Sequence, residues 1–279
     1  MKKHQVVLRR LGGFENHRFG SDKKLFRKKM DNNMKGAESY LSGAMAALEK
    51  VRANLPQIKA AAKLLSDTIQ AGNAIFSFGA THSFIMTEEL VYRSGGLMLV
   101  NPIISHGMNL TVRPMTMTSQ LERLPELGRI YLEHSPLKAG DAIILTSTSG
   151  RNTVMIDMAL AARERGAKII VLTSKEYSAK VTSRHPSGKK LGDLADVLLD
   201  NGAPYGDAVG EIEGFPQKVG PVSTVGGCAC LDAMIAETVQ LLVDAGQEPP
   251  VFMSANMEGG DEFNARMLKK NADRIHYMD

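Results

Sequence analysis

Four hydroxyl side chains stand in a row at Thr146, Ser147, Thr148 and Ser149, and Gly150 follows them. The apolar run Ile143–Leu145 precedes them, and a segment of helical periodicity, Thr153 to Gly166, comes after. That order predicts a buried strand, a tight turn and a helix. The first N–H groups of a helix have no partners within it, and the helix dipole adds partial positive charge there. Hydroxyls beside those N–H groups make a pocket suited to a phosphate. A plain helix cap needs a single Ser or Thr, so a run of four favours anion binding.

A second turn with similar chemistry lies at Gly79-Ala80-Thr81-His82-Ser83, after the apolar run Ala74–Phe78. Neither turn carries the further glycines and the acidic strand end of a dinucleotide site, and neither has the Gly-Lys-Ser/Thr of a P-loop. Glu88 and Glu89 follow one to two helical turns after the first of these turns. A carboxylate there can look back over the strand ends and move a proton between adjacent carbons, as aldose–ketose isomerisation requires. The competing reading is a solvated acidic pair, which must hold for at least one of them because neighbours on a helix point about 100° apart. His82 and His185 are each able to protonate a sugar ring oxygen, because imidazole titrates near neutrality. Otherwise each is a solvated loop histidine. The stretch 211–224 (EIEGFPQKVGPVST) offers Glu211, Glu213 and Lys218 as hydrogen-bonding groups, with Ser223 or Thr224 at a helix start. No His pair has metal-ligand spacing, and no metal or cofactor is expected.

The elements that position these residues alternate. Helices are expected over 34–55 and 57–70, then a strand at 74–78, a helix through 92 and a strand at 97–100. A loop covers 103–120 and one helix 121–134. The strand at 143–145, the helix 152–166 and a strand at 168–173 follow. A polar segment, 174–190, leads to a short strand at 197–199. Residues 201–222 read as a long Gly/Pro-containing loop, of the kind that in compact domains carries function. A long apolar helix runs from 223 to 242, and a polar loop and terminal helix close the chain. Short, continuous apolar strands alternating with helices make a parallel sheet covered on both faces, a three-layer α/β/α sandwich. Ligands in such sheets sit at the carboxyl ends of the strands, near the point where strand order reverses.

The 279 residues are 43% hydrophobic and 23% charged, the balance of an ordinary globular chain. The net charge of +4 hides an asymmetry: residues 1–30 carry ten Lys or Arg and two acids, and the remainder is mildly acidic. No nucleic-acid partner is therefore expected for the body. Residues 1–30 read as a basic, disordered extension, with Met30 and Met34 before the first helix. Neither a secretory signal nor a membrane span is expected. Cys228 and Cys230, two apart in a helix, cannot face each other, which fits a reducing, cytoplasmic setting.

The pair strand–Gly79-x-x-x-Ser83–helix and strand–Ser147-x-Ser149-Gly150–helix resembles the sugar isomerase (SIS) domain, over about residues 34–245. Gly220-Pro221-x-Ser223-Thr224 before a long apolar helix fits it too. The segments SRHPSGKKL, EIEGFPQKVGPVST and PPVFMSANMEGGDE look like a bacterial subgroup described as phosphosugar isomerases. The resemblance implies a five-stranded parallel sheet of flavodoxin-like order plus an N-terminal helical arm. It implies one domain over 31–279, with helices 34–70, a core 71–245 and a C-terminal loop and helix 246–279. It implies that Ser147, Thr148, Ser149, Gly150 and Asn152 hold the phosphate of a sugar, that Gly79 and Ser83 form the first binding loop, and that Ser223, Thr224 and Lys218 border the site. A homodimer or tetramer is implied as well. Three departures stand out. Thr81 replaces the second Gly of the first loop. Thr153 comes one place late in the second. Glu88-Glu89-Leu90 comes about one turn, roughly 5.4 Å, sooner than in phosphoheptose isomerase-like sequences. An aldose–ketose isomerase, a phosphosugar lyase and a phosphosugar-sensing regulator all remain open.

Overall fold

The computed structural model describes residues 34–278. The basic segment 1–30 lies outside them. Five short strands form one parallel sheet: β1 (Ile75–Gly79), β2 (Val100–Pro102), β3 (Ala142–Thr146), β4 (Lys168–Thr173) and β5 (Val197–Asp200). Their order is β2-β1-β3-β4-β5, the flavodoxin-like order. The chain leaves β1 toward one edge and resumes on its other side at β3, so strand order reverses between β1 and β3. In register, Gly79 lies opposite Thr146, and both hydroxyl-bearing turns therefore start at this reversal point.

Helices cover both faces because each carries an apolar stripe. On one face α2 (Leu55–Gln70) and α8 (Ser223–Asp244) pack over Ile75, Ile144 and Ile170, joined by α3 (Phe84–Leu90). On the other, α6 (Thr153–Glu164) buries Val154, Ile156 and Met158 against Phe76, Ile143 and Ile169. α5 (Leu127–Glu133) packs beside α6 at Gly128, where an added Cβ would sit 2.0 Å from the Val154 carbonyl oxygen. α8 is long and apolar enough to cross a membrane by length and composition alone. Its apolar side chains are explained by burial, with Cys230, Leu231 and Met234 sealed in the core. α9 (Gly260–Lys270) closes the chain.

The expected strand at 97–100 begins three residues later. Leu97–Leu99 are fully buried, but ladder pairing with β1 starts at Val100. Pro102 lacks an N–H and is tolerated because β2 is an edge strand. The single helix expected over 121–134 is two short ones, α4 (Thr116–Leu121) and α5. Pro125 disfavours helical geometry at the residue before it, and Glu126 is left-handed at φ +66°. The loop expected over 201–222 contains an antiparallel hairpin, β6 (Ala208–Ile212) and β7 (Phe215–Pro221), turning at Glu213-Gly214. α1 (Lys35–Ala53) holds this hairpin: an added Cβ on Gly43 would meet Val209 at 2.6 Å, and the Tyr40 hydroxyl donates to the Pro221 carbonyl at 3.2 Å. The helix α7 (Lys175–Ala179) is capped by the Ser174 hydroxyl, which accepts from the Tyr177 N–H.

Gly226 sets how closely α8 approaches the end of β5. An added Cβ would lie 2.0 Å from the Asn201 carbonyl oxygen, which is backbone and cannot swing away. Alanine is a better helix former than glycine by about 1 kcal/mol, so an open site would gain from the change. Here overpacking reverses the sign, and Gly226→Ala should cost a net of about 1–3 kcal/mol. At about 2–4 °C per kcal/mol this is a several-degree fall in Tm. Gly227→Ala meets the Met86 sulfur at 2.4 Å, a flexible side-chain atom, and should cost less. Thermal unfolding of the two variants by circular dichroism checks the ranking.

Candidate functional site

A cavity of about 400 Å3 opens at the carboxyl ends of β1 and β3. Its floor is built by the two turns, which are tied to each other. The Thr146 hydroxyl donates to the Ser83 carbonyl at 2.9 Å. Gly79 does not line the cavity; it permits this junction, since a Cβ there would stand 2.4 Å from the same carbonyl oxygen. Ser147, Thr148 and Ser149 line the cavity together, with Ser83 and His82 from the first turn and Ser223 and Thr224 from the start of α8. Ser147 is fixed by its N–H to the Leu172 carbonyl at 3.0 Å, and its hydroxyl accepts from the Gly150 N–H at 3.3 Å. Gly150 is left-handed at φ +61°, a conformation that glycine adopts without penalty, and this turns the chain into α6. The Thr148 carbonyl accepts from the Ser174 N–H and the Thr173 hydroxyl, which holds the loop on β4. Asn152 stands at the N-cap of α6 and also lines the cavity.

Among the described residues, Glu122 and Asp207 are the carboxylic acids on the cavity wall. Glu122 sits just past α4, in the break before α5. Its carbonyl accepts from the Val154 N–H of α6 at 3.2 Å, and its carboxylate accepts from the Asn152 amide. Burial raises the Glu122 pKa above the ordinary carboxylate range, opposed by hydrogen bonds from Thr81 and Asn152 and by the charges of Arg184 and Arg123. Thr81 is left-handed at φ +53°, which costs a branched residue strain that glycine avoids. Thr81 thus holds a left-handed backbone and supplies a hydroxyl to Glu122.

Asp207, left-handed at φ +68°, accepts from the N–H groups of Val222 and Ser223 at 3.1 and 2.8 Å and from the Ser223 hydroxyl at 2.6 Å. It caps α8 from outside and orients Ser223 at the cavity edge. Tyr177 and Met155 complete the wall.

Other residues singled out in the sequence lie elsewhere. Glu88 is exposed and does not line the cavity. Glu89 forms an ion pair with Arg93 and borders a separate cavity of about 410 Å3 between α3 and α8. There it faces Asp232, whose pKa is raised by burial and then by Glu89. His185 is held on the flank of α6: Nε2 lies 2.9 Å from the Asp157 carboxylate and Nδ1 2.7 Å from the Ser187 hydroxyl. Lys218 pairs with Glu211 across the hairpin at 2.9 Å, both exposed, and Glu213 pairs with Lys35 at 3.2 Å. No group of three His, Cys, Asp or Glu side chains suited to a metal ion occurs among the described residues. The sequence reading missed Glu122, and the one signal for it was Pro125, which breaks the helix three residues later.

Residues 39–174 match the family model of the SIS domain. A UPF0309 protein of Oceanobacillus iheyensis is 46% identical over 222 residues, covering 80% of this chain and 90% of that one. A UPF0309 protein of Streptomyces coelicolor is 41% identical over 245 residues, covering 87% and 98%. Among solved structures, a phosphoheptose isomerase from Francisella tularensis aligns with a TM-score of 0.49 at 15% identity, over 73% of this chain and 96% of that one. The chain belongs to the UPF0309 family of SIS-domain proteins.

Proposed function

We propose that this protein binds a phosphorylated sugar or amino sugar in the β1/β3 cavity and interconverts its aldose and ketose forms. The observation that carries this reading is one cavity holding both a hydroxyl-lined turn and a carboxyl with a raised pKa, Glu122. About 400 Å3 is a size suited to a small ligand. Ser147, Thr148 and Ser149 supply three hydroxyl donors at the start of α6, where the helix dipole favours a phosphate. Glu122 takes the proton from the carbon next to the carbonyl, giving an enediolate; the hydroxyl proton passes from one oxygen to the other, and Glu122 returns its proton to the former carbonyl carbon as the second oxygen becomes the carbonyl. A raised pKa suits this task, because proton transfer is most effective when the group titrates near the working pH. His82, exposed on the cavity wall, protonates the ring oxygen as the sugar opens. Glu88, Glu89 and His185 have no part in this assignment, because none of them lines the cavity.

The same reading places the protein in the cytoplasm as a homodimer or tetramer. Burial keeps the thiols of Cys228 and Cys230 protonated, pushed up to about 11 and about 12. Leu41 and Met45 on α1 are 60% and 67% exposed, an apolar face that a second copy would cover. Light scattering on the purified chain tests this. A monomer whose mass is unchanged by Leu41→Glu/Met45→Glu would sink the assignment.

Sugar phosphates should raise the melting temperature of the wild type, and Ser147→Ala/Ser149→Ala should lose most of that rise. A thermal-shift screen with hexose and pentose phosphates reads it directly. Stabilisation that persists undiminished in the variant would place the phosphate elsewhere.

Glu122→Gln should retain the ligand-induced shift and lower turnover by about 10²–10⁴-fold. Exchange of the substrate's carbon-bound hydrogen with solvent deuterium should vanish with it. Product mass separates the alternatives, since isomerisation leaves mass unchanged, a lyase product is lighter, and a sensor gives none. The base works deprotonated, so activity is lost as pH falls through the Glu122 pKa. That loss should set in above the ordinary carboxylate range. Thr81→Val removes a hydrogen bond that favours the charged form, so it should move this acid limb to higher pH. A limb unmoved by Thr81→Val would assign the proton transfer to another group.

A further inference from the structure

The two ends of the cavity have opposite hydrogen-bonding sense. At one end the Ser147 hydroxyl accepts from the Gly150 N–H at 3.3 Å, so its own proton stays free to donate. At the other end the Ser223 hydroxyl donates to the Asp207 carboxylate at 2.6 Å. A serine hydroxyl has a single proton, so the Ser223 oxygen is left with lone pairs only. Nor does Ser223 cap α8, the ordinary use of a serine at a helix start. Val222 holds the N-cap position and makes no side-chain cap bond. The cap comes from Asp207, whose Oδ1 accepts the N–H groups of Val222 and Ser223. A carboxylate has about four acceptor positions, and these bonds with the Ser223 hydroxyl fill three of them. The position left open is on Oδ2, beside the Ser223 oxygen. Ser223 and Asp207 line the same cavity as Ser147–Ser149, and among the described residues no Lys or Arg lines it.

Phosphate oxygens accept hydrogen bonds and carry negative charge. Against Ser223 they would meet lone pairs, with an acid behind them. The phosphate therefore belongs at the hydroxyl turn, and the Ser223 end of the cavity faces a donor. We infer that Ser223 and Asp207 form a second subsite, which takes a hydroxyl of the sugar as a hydrogen-bond donor and so selects which sugar the cavity accepts. The sugar O–H donates to the Ser223 oxygen, and the carboxylate bonded to that oxygen strengthens the contact. This rests on the phosphosugar reading above and adds to it the group that discriminates between sugars. The two subsites are within reach of one ligand: a compact cavity of about 400 Å3 is about 9 Å across, the scale of a six-carbon chain with its phosphate. A site built to bond a hydroxyl rejects a ligand that lacks it, because the acceptor is then left unpaired.

Titration calorimetry with inorganic phosphate and with glucose, mannose and fructose 6-phosphates tests it. The wild type should bind at least one hexose phosphate about tenfold more tightly than inorganic phosphate. Ser223→Ala should remove most of that gain and leave inorganic phosphate within about threefold. It keeps both N–H bonds to Asp207, so the start of α8 stays capped. Asp207→Asn should act in the same direction: its amide donates to the Ser223 oxygen and takes up the lone pair that the sugar would use. Asparagine also tolerates the left-handed backbone at this position. If the pair only caps α8, Asp207→Asn lowers the Tm of the free protein while both variants keep the ratio of hexose phosphate to phosphate affinity, and that ratio would overturn the inference. Ser223→Ala weakening inorganic phosphate as much as hexose phosphate would overturn it too, by placing the phosphate at Ser223. A wild type that binds no hexose phosphate more tightly than inorganic phosphate has the same force. Ser147→Ala/Ser149→Ala keeps the two readings apart. If it weakens every probe, the phosphosugar reading stands whatever the Ser223 result; if it weakens none, both fall.

Discussion

The hydrogen bond from the Thr146 hydroxyl to the Ser83 carbonyl joins the two ends of the switch point, and the cavity depends on it. Parallel strands place their carboxyl ends side by side, but nothing in a ladder requires the loops leaving them to meet. Here they meet because Gly79 has no Cβ to hold them apart and Thr146 is the last residue of its strand. The junction is partly buried, and breaking it would remove the one side-chain bond that ties the first turn to the end of β3 among the described residues. With the loops joined, Ser83 and Ser147–Ser149 share one cavity in place of two separate caps.

The electrostatics of that cavity are a balance of opposed terms. Burial pushes Glu122 toward its neutral form, while Thr81, Asn152 and two arginines pull it toward the carboxylate. Burial is the largest of these, and the carboxyl ends above its ordinary range. The left-handed Thr81 is part of the same balance. A glycine would relieve the backbone strain but remove a hydrogen bond that favours charge. Strain is thus stored beside the buried carboxyl, which gains a hydrogen-bond partner from it.

The remaining wall comes from segments that have little structure by themselves. The β6–β7 hairpin is isolated from the main sheet, and two strands alone are marginal. It is held by α1, through the close approach of Gly43 to Val209 and of Tyr40 to Gly220 and Pro221. Asp207, at the start of the hairpin, then caps α8 and aims Ser223 at the cavity. The N-terminal helices thus act on the site through the hairpin, without touching it.

How much was legible in the chain follows from the range of each interaction. The five-stranded sheet, the flanking helices and the hydroxyl turn could be read because each is written in consecutive residues: an apolar run, a glycine, a periodic stripe. The hairpin was missed because its Gly and Pro residues read as loop, and its partner α1 lies more than a hundred residues away in sequence. Pairing of β2 was misplaced because burial alone does not say where a ladder begins. Glu122 was invisible as a site residue, since only the turn at Pro125 and the Val154 N–H bring it to a loop that follows it by some twenty-five residues. Glu88, Glu89 and His185 had plausible spacing, but rotation about the helix axis and the Asp157 contact carried them to other surfaces. The sequence by itself determined where the hydroxyl-bearing turn lies, because that depends on adjacent hydroxyls and a helix start. Only the tertiary structure decided which carboxyl faces it, because Glu122 reaches the cavity through packing between distant segments.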